Sequence, residues 1–510
     1  MHNQYRSSPE SPQRVPGLLI AGTHSGCGKT TLVAGLLRAF RNQGIKTAPF
    51  KCGPDFLDPQ LHHVAAGRSS WNLDTWFMDD EALRETYMRG SCGAELAVIE
   101  GVMGLFDGAD HITFAGSSAD IATRLGIPVI LVVDASGVGG SVAAMVLGHT
   151  KLWPNLNLAG VIFNRVSNEG HYRILKEAVE KYTNVAPLGY AAPNAAWRLP
   201  ERYLGIHRPS EIPDLDRSLD ALAYELSKTI DMKSLCTLAT PVSSFITPVI
   251  KHIHCHAGLD PASRPILDSR FRGNDGFDRY RCQSNIIEET ASSGELTVGL
   301  AWDEAFSFAY ADTLDRMERL GVRWVPFSPL RDRLPEGIAG LYLPGGYPEL
   351  HAEELSRNSE FRVQLKRALG EGMPCYAECG GLMVLTEALV TLDGRTYEMT
   401  GAIPGKTRMT EKLQRFGYKE LEAANDTLLS PTGSKARGHE FHCSVWEDAP
   451  VQNAYITHFR GNNSQTEGYA QGNLLATYCH LHFASAPAWA ERWVEQMRAW
   501  KMQSNSKSKI

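Results

Sequence analysis

The sequence predicts two α/β domains, each a doubly wound, largely parallel sheet. Three observations carry that expectation. The chain has 510 residues, more than the roughly 250–300 at which a single hydrophobic core stops growing. Short Val, Ile and Leu runs alternate with amphipathic stretches, as in strands buried on both faces beneath covering helices. The pattern breaks off near 240 and starts afresh at Leu296.

In order, the first half offers GLLIAG, TTLVAGLLRAFRNQG, KTAPFKCG, LAVIEGVMG, IPVILVVDA and LAGVIFNRV, which bound a domain at 16–240. The second half offers LTVGLAW, WVPF, GLYLPGG, MPCYAECGG and LLATYCHLHF, a domain at 294–500. Residues 241–293 keep no period. Their core, IKHIHCHAGLDPASRPILDSRFRGNDGFDRYRCQ, resembles peptides encoded by short dispersed repeats inserted in frame. It reads as a tolerated, disordered insertion in a linker, and 1–15 and 501–510 read as tails.

Composition narrows the function classes. The net charge of −6, from 51 basic and 57 acidic residues, argues against general nucleic-acid binding. No apolar run approaches the ~18 residues of a membrane span, and the amino terminus lacks the apolar core of a signal peptide. The ten cysteines form no CxxC pair, which suits a reducing cytoplasm. His252, His254, Cys255 and His256 come nearest to a metal cluster but lack structural-zinc spacing.

The sharpest local signal is Gly22-Thr-His-Ser-Gly26-Cys-Gly28-Lys29-Thr30-Thr31, between the strand LLIAG and the helical TLVAGLLRAF. Backbone N–H groups at Gly26 and Gly28 and a helix amino terminus suit phosphates; Lys29 neutralises charge, and the hydroxyl of Thr30 suits magnesium. Five residues separate Gly22 from Gly28 where a standard phosphate loop has four. That variant is similar to the loop of dethiobiotin synthetases, which activate carboxylates with ATP. Two acidic motifs follow at strand ends, Lys51-Cys-Gly-Pro-Asp55-Phe-Leu-Asp58 and Glu100-Gly-Val-Met-Gly-Leu-Phe-Asp107. Thr30, Asp55 and Glu100 are the expected magnesium set, and Lys51, Asp55, Asp58 and Asp107 the expected substrate and activation set. Helix capping is the alternative for Asp55 and Glu100. Asn164, closing GVIFNRV, is read as an adenine contact or an ordinary strand terminator.

In the second domain, AECGGLM sets Cys379 on a strand-to-helix elbow, where a nucleophile is exposed and a helix amino terminus favours thiolate. Its base is expected about 100 residues on, close in space and not in sequence, at His480. Gly345 and Gly346 in LPGGYPEL offer backbone N–H groups for an oxyanion. A buried structural cysteine is the alternative for Cys379.

The phosphate loop, KCGPDFLDP, EGVMGLFDG, LPERYLG, AWDEAFSF, FSPL, LPGGYPEL, AECGGLM, GHEFHCS and CHLHF stand in an order that resembles the cobyrinate a,c-diamide synthase family. The likeness spans nearly all of the chain outside 241–293 and the tails. It implies a dethiobiotin-synthetase-like P-loop domain fused to a flavodoxin-like class I glutamine amidotransferase domain. It further implies amidation of the a and c acetates of cobyrinate with ATP, Mg2+ and glutamine or ammonia, by a cytoplasmic monomer or homodimer. Hydrogenobyrinate and nickel-sirohydrochlorin are rival acceptors, and a ParA-like ATPase switch is a rival of another class. Class I glutaminases commonly place Glu or Asp two residues after the histidine; here that residue is His482, so a Cys–His dyad is implied. Glu201, Arg202 and Tyr203 lie in a stretch expected to touch substrate or act as a hinge.

Overall fold

The computed structural model describes residues 14–110, 112–194, 197, 201–202, 205–242, 296–458 and 464–507. The expected tail ahead of residue 14, positions 243–295 with His252, His254, Cys255 and His256, and Tyr203 lie outside the described residues. The chain divides into two compact units, Met1–Leu267 and Asp268–Ile510. No helix among the described residues is long and apolar enough to cross a membrane.

The first unit is built on β1 (Pro16–Gly22), β2 (Thr47–Cys52), β3 (Trp71–Leu73), β4 (Leu96–Gly104), β5 (Val129–Asp134), β6 (Leu158–Asn164) and β7 (Ala186–Tyr190). Their order is β3-β2-β4-β1-β5-β6-β7, and every neighbouring pair is parallel. Helices α1 (Lys29–Asn42), α2 (Leu57–Ala66), α3 (Asp80–Ser91), α4 (Ser118–Leu125), α5 (Val142–Leu152), α6 (Glu169–Tyr182) and α7 (Leu215–Thr229) lie between and after the strands. Leu18 and Ile20 of β1 pack with Leu32 and Leu36 of α1 and with Leu222 and Leu226 of α7. The chain leaves β1 toward β2 on one side and later returns through β5 on the other. Ligands of such sheets sit at that switch point, beyond the carboxyl ends of the strands.

The second unit holds β8 (Leu296–Ala301), β9 (Val322–Phe327), β10 (Gly340–Leu343), β11 (Cys375–Glu378), β12 (Tyr469–Gln471) and β13 (Leu474–Thr477). The order is β9-β8-β10-β11-β13-β12, parallel except that β12 runs against β13. Side-chain alternation divides the core in two. Val298, Leu300, Tyr342, Tyr376 and Leu475 face one layer, and Leu341, Leu343, Cys375, Ala377 and Ala476 face the other. The short helix α8 (Gly380–Leu385) covers the second face, and α9 (Pro487–Lys507) covers the first. That last helix continues past the boundary at 500 expected from the sequence.

Helix α9 places Trp489, Trp493 and Met497 on one stripe by their four-residue spacing, and all three are buried. The Trp493 ring meets Tyr376 and Tyr342 edge-on, with centroids 5.5 and 5.8 Å away, while those two tyrosines stack on each other at 5.4 Å. The sequence reading did not anticipate the antiparallel sheet in which Arg415–Ala423 pairs Lys435–His442, which in turn pairs His480–Leu481. Truncating Trp493→Ala removes the indole that Trp324, Tyr342, Tyr376 and Phe483 pack against. It is expected to cost about 3–5 kcal/mol, read as a lower urea midpoint, whereas Val363→Ala at an exposed position leaves the midpoint unchanged.

Candidate active sites

The phosphate loop is where the sequence places it, between β1 and α1. Gly28 has φ +90°, and a Cβ there would fall 2.1 Å from Asn164 Nδ2, so glycine is required. Asn164 donates from Nδ2 to the Cys27 carbonyl at 2.8 Å, and its Oδ1 accepts from Arg165 N at 2.9 Å. Arg165 adds a bond to the Gly26 carbonyl at 3.0 Å. Asn164, read as an adenine contact or strand terminator, thus braces the loop backbone. Thr31 sits beside Thr30 in the first turn of α1, and Lys29 is buried, which holds its ammonium below its usual value.

Beside the loop, Thr30 of α1, Lys51 of β2, Asp58 of α2 and Glu100 of β4 converge. The Thr30 hydroxyl donates to Glu100 Oε1 at 2.7 Å and lies 3.5 Å from Asp58 Oδ2. Lys51 Nζ is 2.9 Å from Glu100 Oε1 and 2.5 Å from Asp58 Oδ2. Burial opposes both charges, yet Asp58 and Glu100 hold Lys51 above its usual value, and Lys51, His62 and Thr30 hold Glu100 below its own. Asp58 is pushed up to about 8 by burial, with Asp55 adding to it against the pull of Lys51.

Asp55 differs from the expected metal set. Its Oδ1 accepts from the N–H groups of Leu57 and Asp58 at 2.8 and 3.0 Å, so it takes the capping alternative at the start of α2. Asp58 stands with Thr30 and Glu100 instead. The reason is local: once Asp55 turns back on the helix start, the residue three further on faces the loop. Asp107 accepts from Gly104 N at 2.8 Å and closes the turn after β4. The sequence reading missed His62, whose Nε2 lies 2.6 Å from Glu100 Oε2 and whose Nδ1 lies 3.1 Å from Ser70 Oγ. Arg202 pairs through its backbone in a two-residue strand with Gly205.

In the second unit, three adjacent strands deliver the expected residues. Cys379 follows β11 with φ 47° and ψ −103°, a strained conformation for a side chain of its kind and typical of a nucleophile elbow. His480 follows β13, and Gly345 follows β10. A Cβ on Gly345 would meet His480 Cε1 at 2.4 Å and Cys379 Cβ at 3.4 Å, so both side chains converge over this glycine. Gly346 N lies 3.1 Å from the Cβ position of Gly380, which opens α8. The first N–H groups of a helix lack partners within it, so the Gly380 N–H, which sequence reading did not name, stands close to Gly346 at the start of α8.

His480 is buried. Burial works against its imidazolium, but Cys379 and Glu378 outweigh it and His480 is pushed up to about 10. Glu378 Oε2 lies 3.6 Å from His480 Nδ1. Glu378 also accepts from the Tyr342 hydroxyl at 2.7 Å, the Tyr376 hydroxyl, and Leu481 N at 2.9 Å. His482 faces elsewhere, 4.0 Å from Asp312 Oδ2, and burial pushes it down to about 3. His439 stands opposite His480 across an antiparallel pair, with ring centroids 6.5 Å apart.

A phosphate loop on one parallel sheet and a cysteine–histidine elbow on another define a glutamine amidotransferase joined to a nucleotide-binding unit. Residues 18–200 match the CobQ/CobB/MinD/ParA nucleotide binding domain, and residues 297–488 match the CobB/CobQ-like glutamine amidotransferase domain. The chain is 37% identical over 484 residues to a cobyrinate a,c-diamide synthase of Streptococcus sanguinis, covering 94% of this chain and 98% of that one. It is 39% identical over 488 residues to that of Salmonella typhimurium, covering 95% and 99%, and 36% identical over 487 residues to that of Priestia megaterium, covering 95% and 97%. The chain belongs to the cobyrinate a,c-diamide synthase family and is a glutamine-hydrolysing carbon–nitrogen ligase. Gly345→Ala keeps the backbone N–H but places a methyl against the His480 ring. Glutamate release from glutamine is expected to fall on the order of 10²-fold, and an unchanged rate would show that the two side chains do not converge here.

Proposed function

We propose that this chain amidates the a and c acetate carboxylates of cobyrinate in turn, taking nitrogen from glutamine and energy from ATP, as a cytoplasmic enzyme. The observation that carries the reading is the convergence of Cys379 and His480 over Gly345 in a chain that also bears the Thr30–Glu100 phosphate-loop cluster. Full-length likeness to proteins named for cobyrinate supports this acceptor over hydrogenobyrinate, nickel-sirohydrochlorin or a ParA-like switch.

In the glutaminase half, His480 already holds the Cys379 proton as an imidazolium, and the thiolate sulfur attacks the glutamine carboxamide carbon. The resulting oxyanion accepts from N–H groups of Gly345–Gly346, which form a two-residue strand beside Phe306–Phe308 and not the turn expected from the sequence, and of Gly380. Collapse expels the amine, protonated by His480, and water hydrolyses the thioester to glutamate. In the ligase half, the ATP γ-phosphoryl passes to an acetate carboxylate oxygen, leaving ADP. Ammonia then attacks the acyl carbon and phosphate departs, leaving the amide. Lys29 and the loop N–H groups offset charge on the phosphates.

Thr30, Glu100 and Asp58 present the hard oxygen donors that magnesium takes alongside nucleotide phosphates, so these residues fit the ion. When bound, it neutralises charge on the phosphates.

Separate chemistries give separable losses. Cys379→Ala should lower glutamine-dependent amidation on the order of 10⁴- to 10⁶-fold while keeping amidation from ammonium salts. Glu100→Gln should lower amidation from both sources and keep glutamate release. Mass spectrometry of the three candidate acceptors, incubated side by side, reads both results; equal loss with both nitrogen sources in Cys379→Ala would refute the division. His480 must be protonated to release the amine. Because it is pushed up to about 10, glutamine kcat/KM should hold from neutral pH upward and fall only near that value; a basic limb at the ordinary histidine value would contradict the assignment.

A further inference from the structure

We propose that Glu378 is the third member of the glutaminase triad, a positioning residue that orients His480 toward Cys379. The proposal rests on the reading of the second unit as a glutaminase. It assigns a carboxylate that comes before the nucleophile on its own strand, not after the histidine.

Four observations support it. First, Glu378 Oε2 lies 3.6 Å from His480 Nδ1, on the side of the ring away from the nitrogen that must serve sulfur. That distance exceeds a good hydrogen bond, as is common for catalytic pairs before substrate arrives. Second, three donors converge on the carboxylate: the hydroxyls of Tyr342 and Tyr376 and the N–H of Leu481. A carboxylate accepts all three and keeps capacity for an imidazole N–H. Third, the donors are themselves fixed. Tyr342 and Tyr376 stack and are pinned edge-on by Trp493, and Leu481 follows His480 directly in the chain.

Fourth, the usual place for the third member is filled by a group that cannot serve. His482 accepts at Nδ1 from Ala484 N at 3.3 Å, with Asp312 Oδ2 4.0 Å away, and its ring lies tilted against Tyr310 with centroids 4.6 Å apart. Strand register supplies the alternative: Glu378 pairs with Thr477 across β11 and β13, three residues before His480. A buried carboxylate one residue ahead of Cys379 therefore reaches the histidine from the neighbouring strand. It takes no proton itself; the Cys379 proton goes to His480, and Glu378 favours the imidazolium and the ring orientation.

Other titratable groups around the pair are Tyr342, Tyr376, Cys479 and His482, whose own equilibria respond to Glu378. His439 and His442 face His480 from Lys435–His442, with Lys419 behind them. None of these supplies a second carboxylate at His480 Nδ1.

The test is glutamate release by the full chain, which does not depend on the identity of the acceptor. Release by the unaltered chain checks the glutaminase reading on its own. Glu378→Gln is expected to lower kcat about 10²- to 10⁴-fold with little change in glutamine KM, and to move the basic limb of kcat/KM down by about one pH unit or more. Glu378→Asp should recover at least about tenfold of the loss and part of the limb. A wild-type rate in Glu378→Gln, or a lowered rate with an unmoved limb, overturns the proposal. Where Glu378→Gln does not fold, as read by its urea transition, Glu378→Asp decides: an intermediate rate with a lowered limb upholds it, and wild-type values overturn it.

Discussion

A parallel sheet covered by helices on both faces has nowhere for polar chemistry except its strand ends, and both halves of this chain obey that constraint. In the first unit the neighbours β2, β4 and β1 bring Lys51, Glu100 and the phosphate loop side by side, with Glu100 inside β4 opposite Lys51 and Ile20. In the second, the neighbours β10, β11 and β13 lead into Gly345, Cys379 and His480. Hydrogen-bonded strands stand about 4.8 Å apart, so residues far apart in sequence arrive within reach of each other once the register is set. Each site is a consequence of strand order.

The same constraint explains the concentration of buried charge. Lys51, Glu100 and His62 are almost wholly hidden from solvent, as are Glu378 and His480. Buried ion pairs contribute little to stability once desolvation is counted. Their worth lies in preorganisation: groups already paired and fixed need no rearrangement when charge develops on a phosphate or an oxyanion. The tyrosine pair beneath Trp493 serves this end in the second unit. An aromatic contact of the core sets the direction of two hydroxyls that hold a carboxylate beside the histidine.

Much of this was legible in the sequence, and what was not has physical reasons. The apolar runs announced both sheets, and loops following such runs located Lys29, Thr30, Glu100, Cys379, His480 and Gly345. Within DFLDP, spacing alone did not decide which aspartate caps the helix and which faces the loop, because one backbone turn at Asp55 settles both. Glu378 carried a signal, a lone carboxylate ending a buried strand, but apart from Tyr376 on its own strand its partners come from β10 and from beyond β13 and appear only with strand order. His439 depends on antiparallel pairing that the short, mixed strands after residue 386 did not reveal. Asn164 reads from the sequence as an adenine contact or a strand terminator, whereas its amide is engaged by the loop it adjoins.

The central claim is that ATP activates a carboxylate by phosphorylation at the first site while nitrogen comes from the second. The most direct measurement follows oxygen-18 from labelled acetate carboxylates of cobyrinate into the products of the glutamine-dependent reaction. An acyl phosphate intermediate requires one labelled oxygen in the inorganic phosphate released for each amide formed. Unlabelled phosphate, or label recovered in AMP, would contradict phosphoryl activation and with it the role assigned to the phosphate-loop cluster.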